Sequence, residues 1–505
     1  MPVSHAGAVI GFLLVPSRRT TRLFAIALIV AGAAWLRFHA IAAKSFWIDE
    51  GASVAIARMD WYDFARLLWR REANMTLYYL LLRGWVYLGG SETWIRALSV
   101  IFALATLPVV YLLGKRLFGR RAAMVACVLL AVNAFHIRYS QEARSYTLVV
   151  LLVSLASLLL VSATQRSAAG RSSHRLWTAY TITASLAVYA QFYAVLVVGA
   201  HSVWMLWRNR TQPSTDATRE MNVEFRRALI RFSALTTPIW VFIILTGAGP
   251  LRWLERPGIG SIREFMSALT GNAGWLLTLP YVVMMILAAA GRRKILPVGA
   301  LPGAVQFALS WLLLPIVVTL AVSVIHPVFL PRYLIVCLPA LVLLAGAGVM
   351  QLPNLAASAV LIGMTALSMQ GTASYYGRDF DLLREDWRDA SAYVLDHQQS
   401  GDAILFHANQ GRMPFEYYAQ LWKRPEPTIF FPGHNDLVTW RDFMGSPSAH
   451  QVEAAVSGGG RVWLILSHTN DSDATTSAVT KTLQKYLSHR GTTQFSGIQV
   501  LLYSR

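Results

Sequence analysis

Charged residues are scarce in this sequence. Only 14% of its 505 residues are Asp, Glu, Lys or Arg, whereas 55% are hydrophobic, and the mean hydropathy is +0.45. A soluble domain carries about 25% charged residues, so this composition excludes an ordinary soluble protein. We therefore expect a chain that lies mainly in a lipid bilayer.

Cysteine is nearly absent as well. Both cysteines, Cys127 and Cys337, fall inside apolar runs, and we expect no disulfide. None of the His, Cys and Asp spacings makes a strong metal site. We expect no required cofactor and assign no metal ligand, although the sequence does not exclude a divalent metal.

Acidic residues are outnumbered by basic ones, 26 to 45, which gives a formal net charge of +19. In a soluble protein this excess would suggest a nucleic-acid partner. Here most of the basic residues lie in short loops between apolar runs, where they set the orientation of a membrane protein. We therefore expect membrane lipids around the chain and no nucleic acid.

Apolar runs of about the length that a bilayer requires recur through the first three quarters of the chain. They predict about eleven spans: 23–41, 96–114, 122–137, 146–163, 176–190, 192–207, 229–247, 273–290, 306–325, 332–350 and 355–373. The first run also resembles a signal peptide. Because it is long for one, we interpret it as an uncleaved first span.

The loops between these spans alternate in charge. Arginines and lysines are concentrated before the first span and in every second loop after it, at 115–121, 166–175, 208–227 and 292–294. The positive-inside rule places these loops and the N-terminus in the cytoplasm. The intervening loops, 44–94, 138–145, 248–272 and 326–331, then lie on the outer side.

The composition changes near residue 376. The sequence therefore predicts two domains, a transmembrane domain over 1–375 and a small α/β domain over 376–505 on the outer side. Strand-like segments are 403–407, 428–431, 462–467 and 499–503, and the helical segments between them are 386–398 and 475–488. No motif in this second domain predicts a function.

The most unusual stretch is Ser45–Gly51, which follows the first apolar run and contains Asp49 and Glu50 side by side. Carboxylates are costly in hydrocarbon, so this pair lies in the headgroup zone or lines a cavity. The residues after it read as a helix whose N-terminal end favours acids. A solvated helix start is the simpler interpretation, and both stay open. The segments 50–59 and 61–71 look like amphipathic helices at the membrane interface.

The other outer loops also carry polar residues near the membrane. These are Glu72, Asn74 and Tyr78 in the first loop; Arg138, Glu142, Arg144 and Tyr146 in the second; His326, Arg332 and Tyr333 before a late span; and Arg37 near the end of the first span. Arginine at a helix start suits a phosphate group. Together they offer carboxylates for base catalysis and cations for an anionic lipid group, as transfer from a lipid phosphate requires.

Simpler explanations exist for these residues. The arginines could reach to lipid headgroups, and His326 before Pro327 could be an ordinary loop residue. A transporter or flippase of a lipid-linked glycan is the rival class, but it would tend to show inverted repeats, and we detect no repeat. A membrane-anchored binding protein would leave the Asp49 loop unexplained.

The sequence resembles the bacterial glycosyltransferase family 39 proteins, which are related to protein O-mannosyltransferases and to the aminoarabinose transferase of lipid A. The resemblance is carried by Arg37, Phe46-Trp47-Ile48-Asp49-Glu50, Asn74-Met75-Thr76-Leu77-Tyr78-Tyr79, Arg96-Ala97-Leu98-Ser99, Tyr139-Ser140-Gln141-Glu142-Ala143-Arg144-Ser145-Tyr146 and Pro331-Arg332-Tyr333. These motifs cover roughly the first 150 residues and the region near 330.

This resemblance implies a polytopic α-helical membrane protein with a GT-C bundle in a bacterial inner membrane. It implies a polyprenyl-phosphate sugar as donor, an inverting transfer to a lipid, glycan or protein acceptor, Asp49 as the catalytic base and Glu50 as its support. Arg144, Arg332, Tyr333 and Arg37 would bind the donor phosphate, and the other outer-loop residues would line the substrate pocket. Glu72-Ala73 departs from the Glu-Lys of the aminoarabinose transferases, which leaves the donor sugar open.

Overall fold

The computed structural model describes residues 19–247, 254–291, 303–377, 385–433, 445–458, 460–468 and 474–505. The predicted cytoplasmic loop 292–294 and the first part of the predicted outer loop 248–272 lie outside these residues. The chain separates into two compact units. The first contains Met1–His39, Asn74–Tyr78 and Ala97–Gly377, and the second contains Ala40–Ala73, Tyr79–Arg96 and Arg378–Arg505.

One boundary between the units falls close to the predicted residue 376. The outer-loop segments Ala40–Ala73 and Tyr79–Arg96, which we grouped with the transmembrane domain, cluster instead with the C-terminal residues. Each compact unit is therefore built from three separate segments of the chain instead of one continuous stretch.

Helices dominate the chain up to residue 377. They are α1 Arg19–Phe38, α2 Ile48–Arg58, α3 Trp61–Arg70, α4 Thr76–Val86, α5 Glu92–Phe118, α6 Arg120–Val132, α7 Ala134–Ser140, α8 Tyr146–Ala168, α9 His174–Ala190, α10 Ala194–Thr211, α11 Asp216–Thr246, α12 Ile259–Thr270, α13 Gly274–Ala290, α14 Ala304–Ile325, a 3₁₀ helix Pro331–Cys337, α15 Leu338–Val349 and α16 Asn354–Tyr376. A polytopic α-helical membrane protein is confirmed.

Among the described residues, six helices are long and apolar enough to cross a membrane, and eight if each of two bent pairs forms one span. A helix lies in every predicted span, but α1, α9 and α10 are not among these eight. Helix α1 counts only as a shorter apolar helix over Ile26–Phe38, α9 has 17 residues and α10 has 18. The number of about eleven spans therefore stays a prediction. In the most apolar 18 residues of Pro331–Val349, 89% are buried, whereas in those of Asp216–Thr246 only 28% are buried, so the second helix leaves many apolar side chains exposed.

The two bent pairs differ from the prediction in different ways, a break inside one predicted span and an extra helix, α12, in a predicted outer loop. Helices α6 and α7 meet at 58°, although 122–137 reads as one continuous span. Asn133 lies at the break, and its side chain accepts a hydrogen bond from the His136 amide at 3.0 Å. Because Asn133 caps the new helix, the chain turns without leaving that N–H unpaired. Helices α12 and α13 meet at 71° around Gly271, which has a φ of +121°.

The C-terminal part is an α/β domain, as predicted. Its elements are α17 Trp387–His397, β1 Ala403–His407, a 3₁₀ turn Asn409–Gly411, α18 Arg412–Trp422, β2 Thr428–Phe431, α19 Ala449–Gly458, β3 Arg461–Ser467, α20 Ala474–Gln484, β4 Ser488–Phe495 and β5 Ile498–Ser504. The sheet order is β2-β1-β3-β5-β4. Strand β1 is parallel to β2 and β3, and β5 is antiparallel to β3 and β4.

The four predicted strands are confirmed. Strands β1 and β3 are apolar and almost completely buried, as strands covered on both faces are. The missed strand, β4, is polar and mostly exposed at the edge of the sheet, so it lacks the apolar signal. Helices α18 and α19 were missed as well. Helix α3 is amphipathic as predicted, with Phe64 and Leu67 buried and Trp61, Tyr62 and Trp69 exposed.

Candidate functional site

Asp49 and Glu50 stand in the first turn of α2, as predicted, but their environments differ. Glu50 is completely buried, whereas Asp49 is half-buried. The Glu50 carboxylate accepts two hydrogen bonds from Arg96, at 2.8 Å from Nε and 2.7 Å from Nη2. This fork-to-fork geometry is the strongest form of an arginine–carboxylate pair. Both oxygens of the Glu50 carboxylate are therefore bonded to Arg96.

Arg96 also ties down the chain that leads into α2. Its guanidinium donates to the carbonyl oxygens of Ile41 at 2.7 Å, Lys44 at 2.8 Å and Ser45 at 3.1 Å. Its side chain is 1% exposed. The sequence places Arg96 in a motif of the resemblance but assigns it no role. Nothing in the residues around an arginine shows that its carboxylate partner lies 46 positions away.

The loop before α2 is also held by the C-terminal α/β domain. The Phe46 amide donates to the Tyr418 hydroxyl at 2.8 Å, and Arg388 donates to the Ala42 carbonyl at 2.7 Å. Glu92 receives hydrogen bonds from both Tyr418 and Arg388. The loop that carries Asp49 is therefore shaped by residues from both ends of the chain.

Two further contacts fix α2 itself. A Cβ on Gly51 would lie 2.7 Å from the Pro414 nitrogen in the first turn of α18, so only glycine allows this close approach. The Ile48 amide donates to Oε2 of Glu385 at 3.0 Å. Glu385 comes from the segment just before α17 and was not among the predicted site residues.

In the first compact unit, Arg138 and Glu142 lie one turn apart, with Nε 3.6 Å from Oε1. Both, together with Arg332, lie near enough to act electrostatically on Tyr139. Arg332, which we predicted to bind the donor phosphate, thus comes close to Arg138 and Glu142, which we predicted to line the substrate pocket, although they are distant in sequence.

Arg144 is 7% exposed and lies in the turn before α8. Its carbonyl accepts a hydrogen bond from the Ser99 hydroxyl at 3.2 Å, and the Thr147 hydroxyl donates to the Ser99 carbonyl at 2.8 Å. The Tyr78 hydroxyl, also fully buried, is 3.1 Å from the same Ser99 hydroxyl. Ser99, which ends one of the resemblance motifs, therefore fixes the backbone that carries Arg144.

Tyrosine rings form a cluster beside Arg332. Tyr333 is 6.4 Å from Tyr146 and 5.2 Å from Tyr193 between ring centroids, and Tyr146 is 4.6 Å from Tyr139. Tyr146 and Tyr333 were predicted site residues, whereas Tyr193 was not. Aromatic faces with polar tips suit a site that receives both a prenyl chain and a polar group.

Arg37 occupies a different kind of environment from Arg332. It is completely buried, and its guanidinium donates to the carbonyls of Ala33 at 3.0 Å, Leu130 at 3.3 Å and Ala131 at 2.9 Å. It also lies 2.8 Å from Nδ1 of His136. The carbonyls of 130 and 131 belong to the last turn of α6, which lacks helical amide partners. These contacts give Arg37 a structural task at the helix break.

The remaining candidates are dispersed. Asn74 accepts a hydrogen bond from the Phe192 amide at 3.2 Å, which joins the chain before α4 to the chain before α10. Glu72 is half-buried in the second unit. His326 is exposed at the C-terminal end of α14. Within the described ranges, no group of three or more His, Cys, Asp or Glu side chains is arranged to hold a metal ion.

Comparison with known proteins connects this geometry to a class. Residues 75–221 match the profile of the dolichyl-phosphate-mannose-protein mannosyltransferase family. The structure of ArnT from Cupriavidus metallidurans in the apo state is similar over 94% of this chain and 97% of its own, with a TM-score of 0.64 and 12% identity. Its structure with undecaprenyl phosphate gives a TM-score of 0.61 and 13% identity over the same shares.

The arabinofuranosyltransferase AftD from mycobacteria is similar over 95% of this chain but 41% of its own length, with a TM-score of 0.51 and 16% identity. A comparison with curated protein sequences found no match. At these identities the structural likeness shows the fold, which is the GT-C fold. The predicted resemblance to glycosyltransferase family 39 is confirmed by the fold and the family profile together.

Proposed function

We propose that this protein transfers a sugar from a polyprenyl-phosphate donor to an acceptor hydroxyl on the outer side of a bacterial inner membrane, with inversion at the anomeric carbon. Asp49 is the catalytic base in this proposal. Glu50 supports it by holding the loop, and the donor phosphate is bound by Arg144 and Arg332.

One observation carries the assignment of the base. Of two adjacent carboxylates, Glu50 is completely buried and bonded to Arg96 by both oxygens. A carboxylate in a buried fork-to-fork pair is a poor proton acceptor, because protonation would abandon a buried cation. Asp49 is half-buried in the first turn of the same helix. Neighbouring helical side chains point about 100° apart, so Asp49 faces another direction.

The reaction that this arrangement supports is a single displacement. The acceptor hydroxyl gives its proton to Asp49 as its oxygen forms a bond with the anomeric carbon. The bond between that carbon and the phosphate oxygen breaks, and its electron pair leaves with the polyprenyl phosphate. Since a phosphate is already a good leaving group, no general acid is needed.

The donor class is supported by the similar proteins and by the charges in the first compact unit. One ArnT structure contains undecaprenyl phosphate, and the matched family profile is named for a dolichyl-phosphate-mannose donor. Arg138 and Arg332 lie near Tyr139, and Arg144 is fixed in the turn before α8. Guanidinium groups that bind phosphate as a fork would also stabilise the charge that grows on the leaving group.

The decisive experiment replaces Asp49 by Asn, which keeps size and polarity and removes the base. Sugar transfer from a polyprenyl-phosphate donor by purified protein in nanodiscs should fall by ~10²–10⁴, while donor binding survives. Full turnover by Asp49→Asn would exclude Asp49 as the base.

Asp63 offers a matched control for this substitution. Like Asp49 it is a half-buried aspartate in the first turn of a helix, and the bond that caps α3 there is made by its backbone amide with Asp60. Because this bond does not involve the Asp63 carboxylate, Asp63→Asn should leave both the fold and the transfer rate unchanged.

The same assay separates the transferase from its rival. If the wild-type protein transfers or hydrolyses no lipid-linked sugar yet moves one across a vesicle bilayer, the transporter or flippase function is correct.

The sidedness of the proposal is tested by single cysteines at exposed Ser91 and Ser488. Both should react with an impermeant thiol reagent in intact cells from which the outer membrane has been removed. A cysteine at exposed Ser172 should react only after permeabilisation. Both native cysteines are buried, so their background labelling should be low. The opposite pattern of labelling would reverse the topology.

A further inference from the structure

The carboxylate of Glu385 is buried in the second compact unit, with 3% of the residue exposed. Its Oε2 accepts hydrogen bonds from the Ile48 amide at 3.0 Å and from Nε1 of Trp387 at 2.7 Å. Its other oxygen, Oε1, contacts Nε2 of His468. A buried carboxylate needs such partners to stay ionised, and each of these three comes from a different segment of the chain.

The Ile48 contact makes Glu385 a cap for the helix that carries Asp49. Trp47, at the N-cap position of α2, provides no side-chain cap. The Glu385 carboxylate accepts a bond from one of the amides of the first turn in its place, where the helix dipole favours a negative charge. The Ser45 hydroxyl also donates to the Glu385 carbonyl at 2.9 Å. Glu385 therefore holds both the loop and the turn in which Asp49 stands.

His468 follows β3 directly and has a φ of +53°, which is uncommon for a residue with a side chain. Its side chain is 46% exposed, so it exchanges protons with solvent readily. The hydrogen bond to Glu385 raises the pKa of His468, burial lowers it in part, and the charges of Glu385 and Asp49 raise it further. Within the described residues, these two carboxylates are the charged groups that act on His468.

We propose that Glu385 and His468 are positioning residues for the transfer reaction, supplied to the Asp49 helix by the C-terminal α/β domain. Glu385 fixes the first turn of α2, and the imidazolium of His468 balances the buried charge of Glu385 beside Asp49. This inference rests on the proposed function of Asp49. It gives the C-terminal domain a role in the reaction that its sequence motifs do not reveal.

A pH dependence follows from this arrangement. When His468 loses its proton, Glu385 no longer contacts a cation and holds the first turn of α2 less firmly. The pKa of His468 is raised above 6.5, so the loss occurs as the pH rises through that higher value. Transfer should therefore decline as the pH rises through the pKa of His468.

The test compares wild type with His468→Gln, which keeps a donor but cannot be charged, and with His468→Lys, which stays charged. At about pH 6, His468→Gln should lower kcat about threefold to tenfold with little change in KM for the donor. The difference from wild type should shrink as the pH rises to about 9. His468→Lys should restore much of the activity and flatten the alkaline decline. His489→Gln, an exposed histidine of β4, is the matched control and should behave as wild type.

A wild-type pH profile in His468→Gln, or no recovery in His468→Lys, would overturn the proposal. A second readout does not depend on transfer, so it tests the pairing of Glu385 with His468 even if no donor is turned over. Because the folded-state pKa of His468 is raised, its pairing stabilises the fold fully below 6.5 and loses that effect as the pH rises through the raised value. The Tm of His468→Gln in detergent should thus lie below that of wild type at low pH and approach it at high pH. A Tm difference that is constant with pH would mean a packing role only and would also overturn the proposal.

Discussion

Each compact unit contains a fully buried arginine at the start of a motif, but the two arginines are neutralised in different ways. In the second unit, Arg96 faces the carboxylate of Glu50. In the first unit, Arg37 faces three carbonyl oxygens and a histidine nitrogen. The first arrangement is an ion pair, and the second uses the partial negative charge at the C-terminal end of a helix. The comparison shows that a buried arginine of these motifs can be neutralised either by a carboxylate or by the carbonyl oxygens at a helix end.

This difference predicts that replacing Arg96 lowers the stability of the fold more than replacing Arg37. Without Arg96, Glu50 would remain as a buried charge, whereas without Arg37 only neutral acceptors would lose their partners. Breaking a buried ion pair on one side costs about 3–5 kcal/mol. Leaving a buried neutral acceptor unpaired costs about 1–3 kcal/mol for each acceptor. Both arginines also release carbonyl oxygens, so the charge that Glu50 would keep makes the difference between them. Measuring the free energy of unfolding of variants at Arg96 and at Arg37 therefore tests this difference directly.

The largest expected effect belongs to Arg96→Leu. We expect it to lower the free energy of unfolding by about 3–5 kcal/mol, which for many chains prevents folding altogether. The measurement is the yield of monodisperse protein and its Tm in detergent. The double variant Arg96→Leu with Glu50→Leu removes both charges and should recover much of that loss. A double variant no better than the single one would mean that the carbonyl contacts of Arg96, and not the ion pair, hold the loop.

Arg37→Met should come next. It keeps an unbranched side chain but removes the donors for the carbonyls at the break between α6 and α7, so we expect a loss of about 1–3 kcal/mol for each carbonyl left unpaired, without the added cost of a buried charge. The measurement is the Tm in detergent beside donor binding, which should change little if Arg37 has only this structural task. A large rise in KM for the donor with an unchanged Tm would instead return Arg37 to the phosphate-binding set that the sequence predicted.

The sequence predicted most of the helices and four strands correctly, but it did not predict the partners of the buried charged residues. The apolar runs locate the helices because burial in a bilayer requires long apolar segments, and four strands were found because they are continuous apolar runs. The GT-C fold followed from short motifs. The partners of Arg96 and Glu385 lie far away along the chain, and a single sequence contains no signal for such pairs. The break at Asn133 escaped because it interrupts the apolar run 122–137 only briefly, whereas the helix before Gly271 was missed because 248–272 was predicted as a loop.

The next smaller effect concerns Arg332, which lies near Tyr139 together with Arg138 and Glu142. Arg332→Lys keeps the charge and loses the fork, so the KM for a polyprenyl-phosphate sugar should rise about tenfold while the Tm stays the same. The measurement is initial-rate kinetics across donor concentrations. Arg256→Lys, at an exposed position outside the described site, is the control and should leave KM unchanged. An unchanged KM in Arg332→Lys would indicate that Arg332 reaches to headgroups instead.

The smallest expected effect concerns Glu426, a carboxylate that shares the charge of Arg412 with a neighbouring carboxylate, Glu416. Arg412 donates to Glu416 at 2.6 Å, and Glu426 lies near both. Burial and the charge of Glu416 raise the pKa of Glu426 to about 7, and Arg412 offsets this only in part. Since the folded-state value lies above the unfolded value of 4.5, the folded protein loses stability as the pH rises between them.

Glu426→Gln removes this penalty, so its Tm in detergent should exceed that of wild type by about 1–2 °C at pH 8 and match it near pH 4.5. Glu453→Gln, at an exposed position on α19, is the control and should show no such dependence on pH. A Glu426→Gln variant less stable than wild type at pH 8 would show that Arg412 neutralises Glu426 as fully as Arg96 neutralises Glu50. In that case an arginine shared by two carboxylates would stabilise both as well as Arg96 stabilises its single partner.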